Sequence, residues 1–143
     1  MTSQDKKQYL SSYLYICDEV EDLIRDLEEW YTIASKVTAS YNASPGGGTS
    51  DKLTNVVSKI LEIKDKCAER LERLEQARRN IERAIESVED VDLRRLLRYR
   101  YIRGWNFQKI ADRMNYSYRQ ATRLHGIALR NLDESILLGE KMS

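Results

Sequence analysis

Two long stretches of the chain carry apolar residues at alternating steps of three and four, the pattern of an amphipathic helix. The first stretch begins at Thr2 or Ser3, either of which can cap a helix, and continues to about residue 40. Its heptad positions are apolar or small: Leu10, Tyr13, Cys17, Val20, Ile24, Leu27, Tyr31 and Ala34. A second stripe adjoins the first: Ile16, Leu23, Trp30 and Val37. Because one partner helix leaves part of so wide a face in water, we expect more than one neighbour.

The segment 41–51 ends this first pattern, because its proline and three consecutive glycines cannot continue a helix. The second pattern extends from about residue 52 to residue 89. Its heptad positions are Leu53, Ile60, Cys67, Leu74, Ile81 and Val88. Two long helices joined by a short Gly-rich loop predict an antiparallel hairpin over residues 1–90, for which we expect a role in oligomerisation or partner binding.

Shorter elements follow in residues 91–134. Asp90 or Asp92 can cap a supporting helix that Gly104 ends. Trp105 and Phe107 come next, and we interpret both as apolar anchors of the core rather than as platforms that stack on bases. Residues 135–143 form a tail that either prolongs the last helix or docks on the hairpin.

The centre of this module has the spacing of a helix-turn-helix. Asn106 precedes a predicted helix over residues 107–114, and Asn115, which tolerates a left-handed conformation, follows it. Ser117 opens the next helix with Gln120 three residues on, which is the S-x-x-Q capping box. The positions that must be apolar or small where the two helices cross are Ile110, Ala111, Met114, Tyr116, Ala121 and Leu124.

The last helix has an inner and an outer face. The inner face consists of Ala121, Leu124, Ala128 and Leu132. The outer face consists of Arg119, Thr122, Arg123, Gly126 and Arg130. A helix in the DNA major groove reads bases from its N-terminal residues, here Tyr118, Arg119 and Gln120, and contacts phosphates with basic side chains. We expect phosphate contacts from Lys109, Arg113, Arg119, Arg123 and Arg130. A solvated face of an ordinary bundle has a similar charge pattern, but the small residue, the Asn turn and the cap in register favour DNA binding.

The segments RYIRG, QKIADRM and SYRQATRLHGIALRNL resemble region 4 of the bacterial sigma factors. With the long helical N-terminal half, YSYRQ and RLHGIAL also resemble the sigma-like regulators of late transcription in phages of Gram-positive bacteria (the ArpU/RinA type). This resemblance implies a sequence-specific DNA-binding activator of phage genes that binds promoter DNA, with host RNA polymerase as a further contact. The other sigma regions are absent from the chain, so we do not expect it to melt a promoter.

The net charge of +1 conceals an asymmetry along the chain. Residues 92–134 contain ten basic and four acidic residues, a net charge of +6, and the remainder has a net charge of −5. Nine of the ten basic residues are arginines, which suit phosphate and guanine better than lysine does. This asymmetry fits a nucleic-acid-binding module joined to an acidic partner module.

The sequence offers no catalytic or cofactor-binding motif. The one histidine, His125, has no metal-ligating residue three or four positions away, and we predict no metal site. Neither a run of about 18 apolar residues nor a signal-peptide core is present, so we expect no membrane contact and a cytoplasmic location in the bacterial host.

The pattern as a whole predicts an all-α fold, a long antiparallel N-terminal hairpin followed by a sigma-region-4-like helix-turn-helix. The favoured function is a DNA-binding transcriptional regulator, not an enzyme, that forms a homo-oligomer through its hairpin. Two alternatives remain at this point. One is a DNA-packaging recognition subunit similar to small terminase proteins, and the other is a coiled-coil adaptor without a nucleic-acid role.

Overall fold

The computed structural model describes the backbone of residues 1–43 and 49–142 and the side chains of residues 1–40 and 51–139. The described residues form helices and no strand, which confirms the all-α prediction. The helices are α1 (Ser3–Ala43), α2 (Thr49–Glu86), α3 (Val91–Tyr101), α4 (Phe107–Met114), α5 (Tyr118–Arg130) and α6 (Glu134–Met142). The predicted loop is therefore shorter than segment 41–51, since its first three residues extend α1, and residues 44–48 lie outside the described part of the chain.

The chain divides into two compact units. One contains Cys17–Arg73, and the other contains Met1–Ile16 together with Leu74–Ser143. The first turns of α1 and the last turns of α2 therefore belong to the same unit as the four shorter helices. The functional division that we predict at residue 90, between a hairpin and a DNA-binding module, remains a prediction.

In the unit Cys17–Arg73, the partners on α1 and α2 follow opposite directions along the two helices. Arg70 Nε lies 2.6 Å from Glu19 Oε2, and Lys64 Nζ lies 5.6 Å from the centre of the Tyr31 ring. This is the order expected of an antiparallel pair. The core of this unit is formed by Val20, Val56, Ile60 and Ile63.

The apolar seam of α1 differs from the predicted heptad. Ile24 and Tyr31 are 45% and 44% exposed, whereas Leu23 and Trp30 of the second stripe are half-buried. The step from Val20 to the next seam residue is thus three positions instead of four. This shift to earlier positions is opposite to the drift of a straight helix, whose 3.6 residues per turn move a buried stripe to later positions than a strict seven-residue repeat does. The predicted seam residues of the second pattern are all buried or half-buried, although the last of them, Val88, follows the end of α2 at Glu86.

The second unit has its core where α1, α2 and the short helices meet. The fully buried large side chains of this unit are Leu10, Ile81, Ile85, Val88, Leu96, Leu97, Ile110, Leu129 and Leu137. Helix α5 packs against both α3 and α4, and α3 also packs against α4. Leu137 belongs to α6, a separate helix that begins after Asp133 accepts a hydrogen bond from the Ser135 amide at 2.9 Å. The predicted tail is therefore a new helix and does not prolong α5.

Helix α3 is held by capping contacts at its start. Asp90 Oδ1 accepts a hydrogen bond from the Leu93 amide at 3.0 Å, which identifies Asp90 as the N-cap. Arg94 Nη1 donates to the carbonyls of Val88 and Glu89, both at 2.8 Å. These carbonyls follow the end of α2 at Glu86, three residues earlier than predicted. One guanidinium thus fixes the connection between α2 and α3.

Candidate nucleic-acid interface

The turn between α4 and α5 is determined by three polar residues in local conformations. Asn106 Oδ1 accepts from the Lys109 amide at 2.9 Å at the start of α4. Asn115 ends α4 with φ 60° and ψ 41°, and Ser117 Oγ accepts from the Gln120 amide at 3.0 Å. All three roles were predicted from the sequence, and the predicted bounds of α4 match the structure. Because asparagine tolerates the left-handed region better than other non-glycine residues, this turn forms without glycine.

The inner face of α5 differs in part from the predicted set. Its buried residues are Ala121, His125, Ala128 and Leu129. Leu124 is only half-buried, and Leu132 is buried but follows the end of α5 at Arg130. Ile110 and Ala111 of α4 and Ala121 of α5 have no exposed surface, so the two helices meet at small and apolar side chains as predicted. Met114 and Tyr116 are half-buried.

His125 is a buried core residue, although the sequence placed it only beside the inner face. Its Nε2 and Tyr101 Oη share a hydrogen bond of 2.7 Å, and its ring meets the edge of Phe107 at a centroid distance of 4.9 Å. Burial, helped by the positive charges of Lys7 and Arg100, lowers the pKa of His125 from 6.5 to about 4. Burial also raises the pKa of Tyr101 to about 12. Both groups are therefore neutral at pH 7 and serve to position α5 on α3.

The candidate base-reading residues lie on the exposed side of the N-terminal turn of α5. Tyr118 is 55% exposed and Arg119 is exposed, whereas Gln120 and Thr122 are half-buried. Gln120 Oε1 accepts from Arg123 Nε at 3.1 Å, so its amide does not complete the predicted capping box with Ser117. Thr122 Oγ1 donates to the Arg119 carbonyl at 2.9 Å. Two of the candidates thus have polar atoms engaged within their own helix.

The candidate phosphate-contacting cations are exposed and lack carboxylate partners. Within the described part of the chain, no Asp or Glu oxygen lies within 4.0 Å of a charged nitrogen of any of them. They are Lys109, Arg113, Arg119, Arg123 and Arg130. By contrast, Arg70, Arg73, Arg78 and Arg79 of α2 are each paired with a glutamate. The positive charge of α4 and α5 therefore remains unneutralised, which an anion-binding face requires.

The C-terminal end of α5 is anchored to α1. Lys6 is 6% exposed, and its Nζ donates to the Leu129 carbonyl at 3.0 Å. The same nitrogen lies 3.4 Å from Glu134 Oε1. A cation at the last carbonyls of a helix satisfies groups without intrahelical partners and interacts favourably with the helix dipole. No local pattern in the sequence predicts this contact, because Lys6 and Leu129 are 123 residues apart.

Aromatic and basic residues that were not predicted as functional lie beside Lys109 and Arg113. They are Arg95, Tyr99, Arg103 and Trp105. The Tyr99 and Trp105 rings stack at a centroid distance of 4.5 Å with an interplanar angle of 11°. Lys109 Nζ lies 4.4 Å from the centre of the Trp105 ring. The spacing of four between Arg95 and Tyr99 on one helix face was the available signal. We call the group formed by Arg95, Tyr99, Arg103, Trp105, Lys109 and Arg113 the aromatic ledge.

The prediction that Trp105 and Phe107 are core anchors holds only partly for the two rings. Both are half-buried. Phe107 contacts buried His125 and carries the Arg100 guanidinium 4.5 Å above its ring. Trp105 stacks on Tyr99 at the surface instead of entering the core. A tryptophan whose ring is packed at one end and exposed to water at the other is common at protein interfaces.

Other kinds of site have little basis in the described residues. These side chains include no group of three or more His, Cys, Asp or Glu that could hold a metal ion. Cys17 and Cys67 are free and half-buried. Over the same ranges, no helix has both the length and the hydropathy needed to span a bilayer.

The family model described as "Protein of unknown function (DUF1492)" matches residues 35–133. This match covers more than half of the 143 residues. The chain belongs to the DUF1492 family. No curated protein and no solved structure matches it. The part that defines membership in DUF1492 contains every candidate DNA-contacting residue and the whole aromatic ledge, and it ends at Asp133, before α6.

Proposed function

We propose that the chain is a sequence-specific DNA-binding regulator of transcription, an activator of phage or prophage genes that resembles sigma region 4. In this proposal, α4 and α5 form a helix-turn-helix, and α5 enters the major groove of promoter DNA. The observation that carries the proposal is the exposed face of α4 and α5, whose five cations have no carboxylate partner among the described residues. The left-handed turn at Asn115 between two capped helices also supports the proposal.

The role proposed for each side chain follows from its chemical type and its position on α4 or α5. Arg119, at the N-terminal turn of α5, reads a base, because arginine offers two donors to the acceptors of guanine. Lys109 and Arg113 on α4 contact phosphates, since the first helix of such a motif crosses the DNA backbone. Arg123 and Arg130 follow along α5 and contact phosphates farther from its tip. Tyr118 is exposed beside Arg119 and contributes to the same readout.

The hairpin is proposed to join copies of the chain. In the unit Cys17–Arg73, large apolar side chains remain exposed: Ile24, Tyr31, Ile33, Val57, Leu61 and Leu71. Each of five of these residues directly follows a seam residue of its own helix. In two antiparallel helices, the residues that directly follow the seam lie on the same side of the pair. Ile24 and Tyr31 of α1 therefore share a side with Val57, Leu61 and Leu71 of α2. A second hairpin that covers this side completes a four-helix bundle, the usual solution for helices with a wide apolar face. Host RNA polymerase is proposed as a further contact of the DNA-binding module.

The direct test is to identify the DNA that the full chain selects. Tagged protein is mixed with fragmented phage and bacterial DNA at about 0.1 M salt, and the captured fragments are sequenced. The expected result is a recurrent motif upstream of phage genes, which binds more tightly than random duplex. Capture without a recurrent motif contradicts sequence-specific regulation. Ring-sized assemblies that capture one site beside packaging genes would favour the terminase-like alternative, and no capture at low salt would favour the adaptor.

A further inference from the structure

We infer that the aromatic ledge is a second DNA-backbone contact that extends the interface from α4 onto α3 and binds phosphates beyond those reached by α4 and α5. This inference rests on the proposed function, since it assigns additional phosphate contacts to the same DNA-bound module. The added residues are Arg95 and Arg103 as cations, with Tyr99 and Trp105 as the rings that position them. Lys109 and Arg113 belong to both surfaces and make them continuous.

The ledge is held in place by the turn that ends α3. Gly104 adopts φ +72°, a conformation that favours glycine, and reverses the chain after Ile102. The Trp105 amide then donates to the Tyr99 carbonyl at 2.9 Å, and Arg100 Nη1 donates to the Trp105 carbonyl at 3.1 Å. These bonds fix Trp105 against the Tyr99 ring. The stacked pair therefore forms one platform of two rings.

Each ring of the platform holds cations without neutralising them. Lys109 Nζ and the Arg103 guanidinium lie 4.4 and 5.8 Å from the centre of the Trp105 ring. The Arg95 guanidinium lies 5.7 Å from the centre of the Tyr99 ring, and its Nη2 donates to Tyr99 Oη at 3.1 Å. A ring attracts a cation through its quadrupole but has no net charge, so the full positive charge remains available to a partner.

The Tyr99 hydroxyl lies beside two cations of the ledge. Hydrogen bonds from Arg95 and Arg113, in that order, lower the pKa of this phenol. Among the described residues, no carboxylate forms an ion pair with Arg95, Arg103, Lys109 or Arg113. The neighbouring Arg98 shows the contrast, because it points towards α2 and lies within 4.0 Å of Glu82 and Glu86. The ledge thus concentrates four cations without an ion-pair partner around two rings. Hydrogen bonding to Tyr99, with a smaller contribution from the charge of Asp92, raises the pKa of Arg95.

Duplex DNA fits this surface better than an acidic protein does, for a geometric reason. Lys109 and Arg113 lie on α4, the helix that crosses the backbone in the proposed complex, so the phosphates beside it continue towards α3. Three of the four cations are arginines, whose planar groups bind phosphate oxygens in pairs. An acidic protein that covers the ledge would compete with DNA for Lys109 and Arg113. Such competition is an outcome that the experiment can detect.

The first arm of the test compares two double variants of the full chain by titration with DNA at several salt concentrations. Arg95→Gln with Arg103→Gln removes two ledge cations, and Arg73→Gln with Arg79→Gln removes two paired cations of α2 as the matched control. Each neutralised phosphate contributes about −0.9 to the slope of log K against log salt, so the ledge variant should have a slope less steep by about 1.8. Its affinities for specific and random duplex should fall by the same factor, because phosphate contacts carry no base information. The control should retain the wild-type slope.

The second arm measures whether DNA covers Trp105. Trp30→Phe leaves Trp105 as the only tryptophan. Quenching of its fluorescence by acrylamide should fall by about half or more when saturating duplex is bound. Unchanged quenching together with an unchanged slope in the ledge variant overturns the ledge inference while the proposed function stands. A wild-type chain that binds no duplex overturns both. An acidic polypeptide that binds wild type but not the ledge variant, together with an unchanged salt slope of DNA binding in that variant, overturns the assignment of the ledge to DNA.

Discussion

At the scale of single residues, the outward side chains of α5 differ in what already binds their polar atoms. Gln120 accepts from Arg123, and the Thr122 hydroxyl donates to a carbonyl of its own helix. For the Arg119 guanidinium, the described residues provide no hydrogen bond or ion pair. A base edge therefore competes with no existing partner of Arg119, whereas contact with Gln120 or Thr122 requires a bond to be exchanged.

Arg119→Ala should reduce the affinity for the preferred duplex by about 1–3 kcal/mol and relax the preference at one base pair. Thermal stability should hardly change, because the side chain is exposed. Melting temperature and affinity for specific and random duplex are measured together, with Arg79→Ala as a control that should leave both affinities unchanged. An equal loss on both duplexes would mean that Arg119 is a phosphate contact and not a base reader.

His125 makes the stability of the second unit depend on pH. Its pKa is about 4 in the folded chain and about 6.5 when unfolded, so the unfolded chain binds more protons between these values. The contribution of neutral His125 to the free energy of unfolding should therefore be fully present above pH 6.5. The free energy of unfolding should fall by on the order of 2 kcal/mol as the pH approaches 4. Urea titrations between pH 7 and pH 4.5 should show a smaller decline in His125→Phe, whereas Tyr101→Phe should keep the dependence. Parallel curves for wild type and His125→Phe would contradict this account.

At the scale of elements, local features could be predicted from the sequence, whereas tertiary contacts could not. The caps at Asn106 and Ser117 and the left-handed Asn115 depend on bonds within three residues, so their pattern is visible in the sequence. The burial of His125 depends on Tyr101, which is 24 residues away. Likewise, the ledge requires the turn at Gly104 to fold Trp105 back onto α3, and no spacing along one helix predicts that contact.

The seam of α1 illustrates a different limit of sequence analysis. Two adjoining apolar stripes were visible, but the amino acids alone did not determine which one the partner helix covers. The structure buries Leu23 and Trp30 more than Ile24 and Tyr31, an outcome that the drift of a straight helix away from a seven-residue repeat does not predict. The existence of helices and the wide apolar face could be predicted, and the register could not.

Ile110→Ala tests the contact between α4 and α5. Ile110 has no exposed surface, so removing its side chain beyond Cβ should lower the free energy of unfolding by about 2–5 kcal/mol. DNA binding should weaken only in proportion to the unfolded fraction. Chemical denaturation is compared with Val91→Ala, whose side chain is 59% exposed and whose loss should cost less than about 0.5 kcal/mol. A similar cost for both variants would show that Ile110 does not form the core of this contact.

At the scale of the whole molecule, the proposed assembly depends on the exposed apolar side of the unit Cys17–Arg73. Leu61 and Leu71 are 57% and 50% exposed on α2. Scattered exposed leucines are common, but here they share one side with Ile24 and Tyr31, and such contiguous apolar surface marks interaction sites. In the proposed assembly, two copies of the candidate DNA-binding module contact two half-sites of an operator.

Leu61→Glu combined with Leu71→Glu should shift the wild-type assembly towards monomers, because burial of two carboxylates opposes association. Sedimentation velocity over a hundredfold range of protein concentration measures this shift. Tyr15→Glu, in which an exposed side chain of the other unit is changed, should assemble as wild type does. Monomeric wild-type protein, or a double variant that assembles like wild type, would contradict assembly through this side.

The central claim, that α4 and α5 bind DNA through uncompensated cations, is tested most directly by the salt dependence of duplex binding. Wild-type chain is titrated with the selected duplex and with a random duplex between about 50 and 300 mM salt. With Arg119 reading a base, the four other cations of α4 and α5 predict a slope of log K against log salt of about −3.6, and the ledge makes it steeper by about 1.8. The selected duplex should bind at least about a thousandfold more tightly than the random one. A slope near zero, or equal affinity for the two duplexes, would contradict the account.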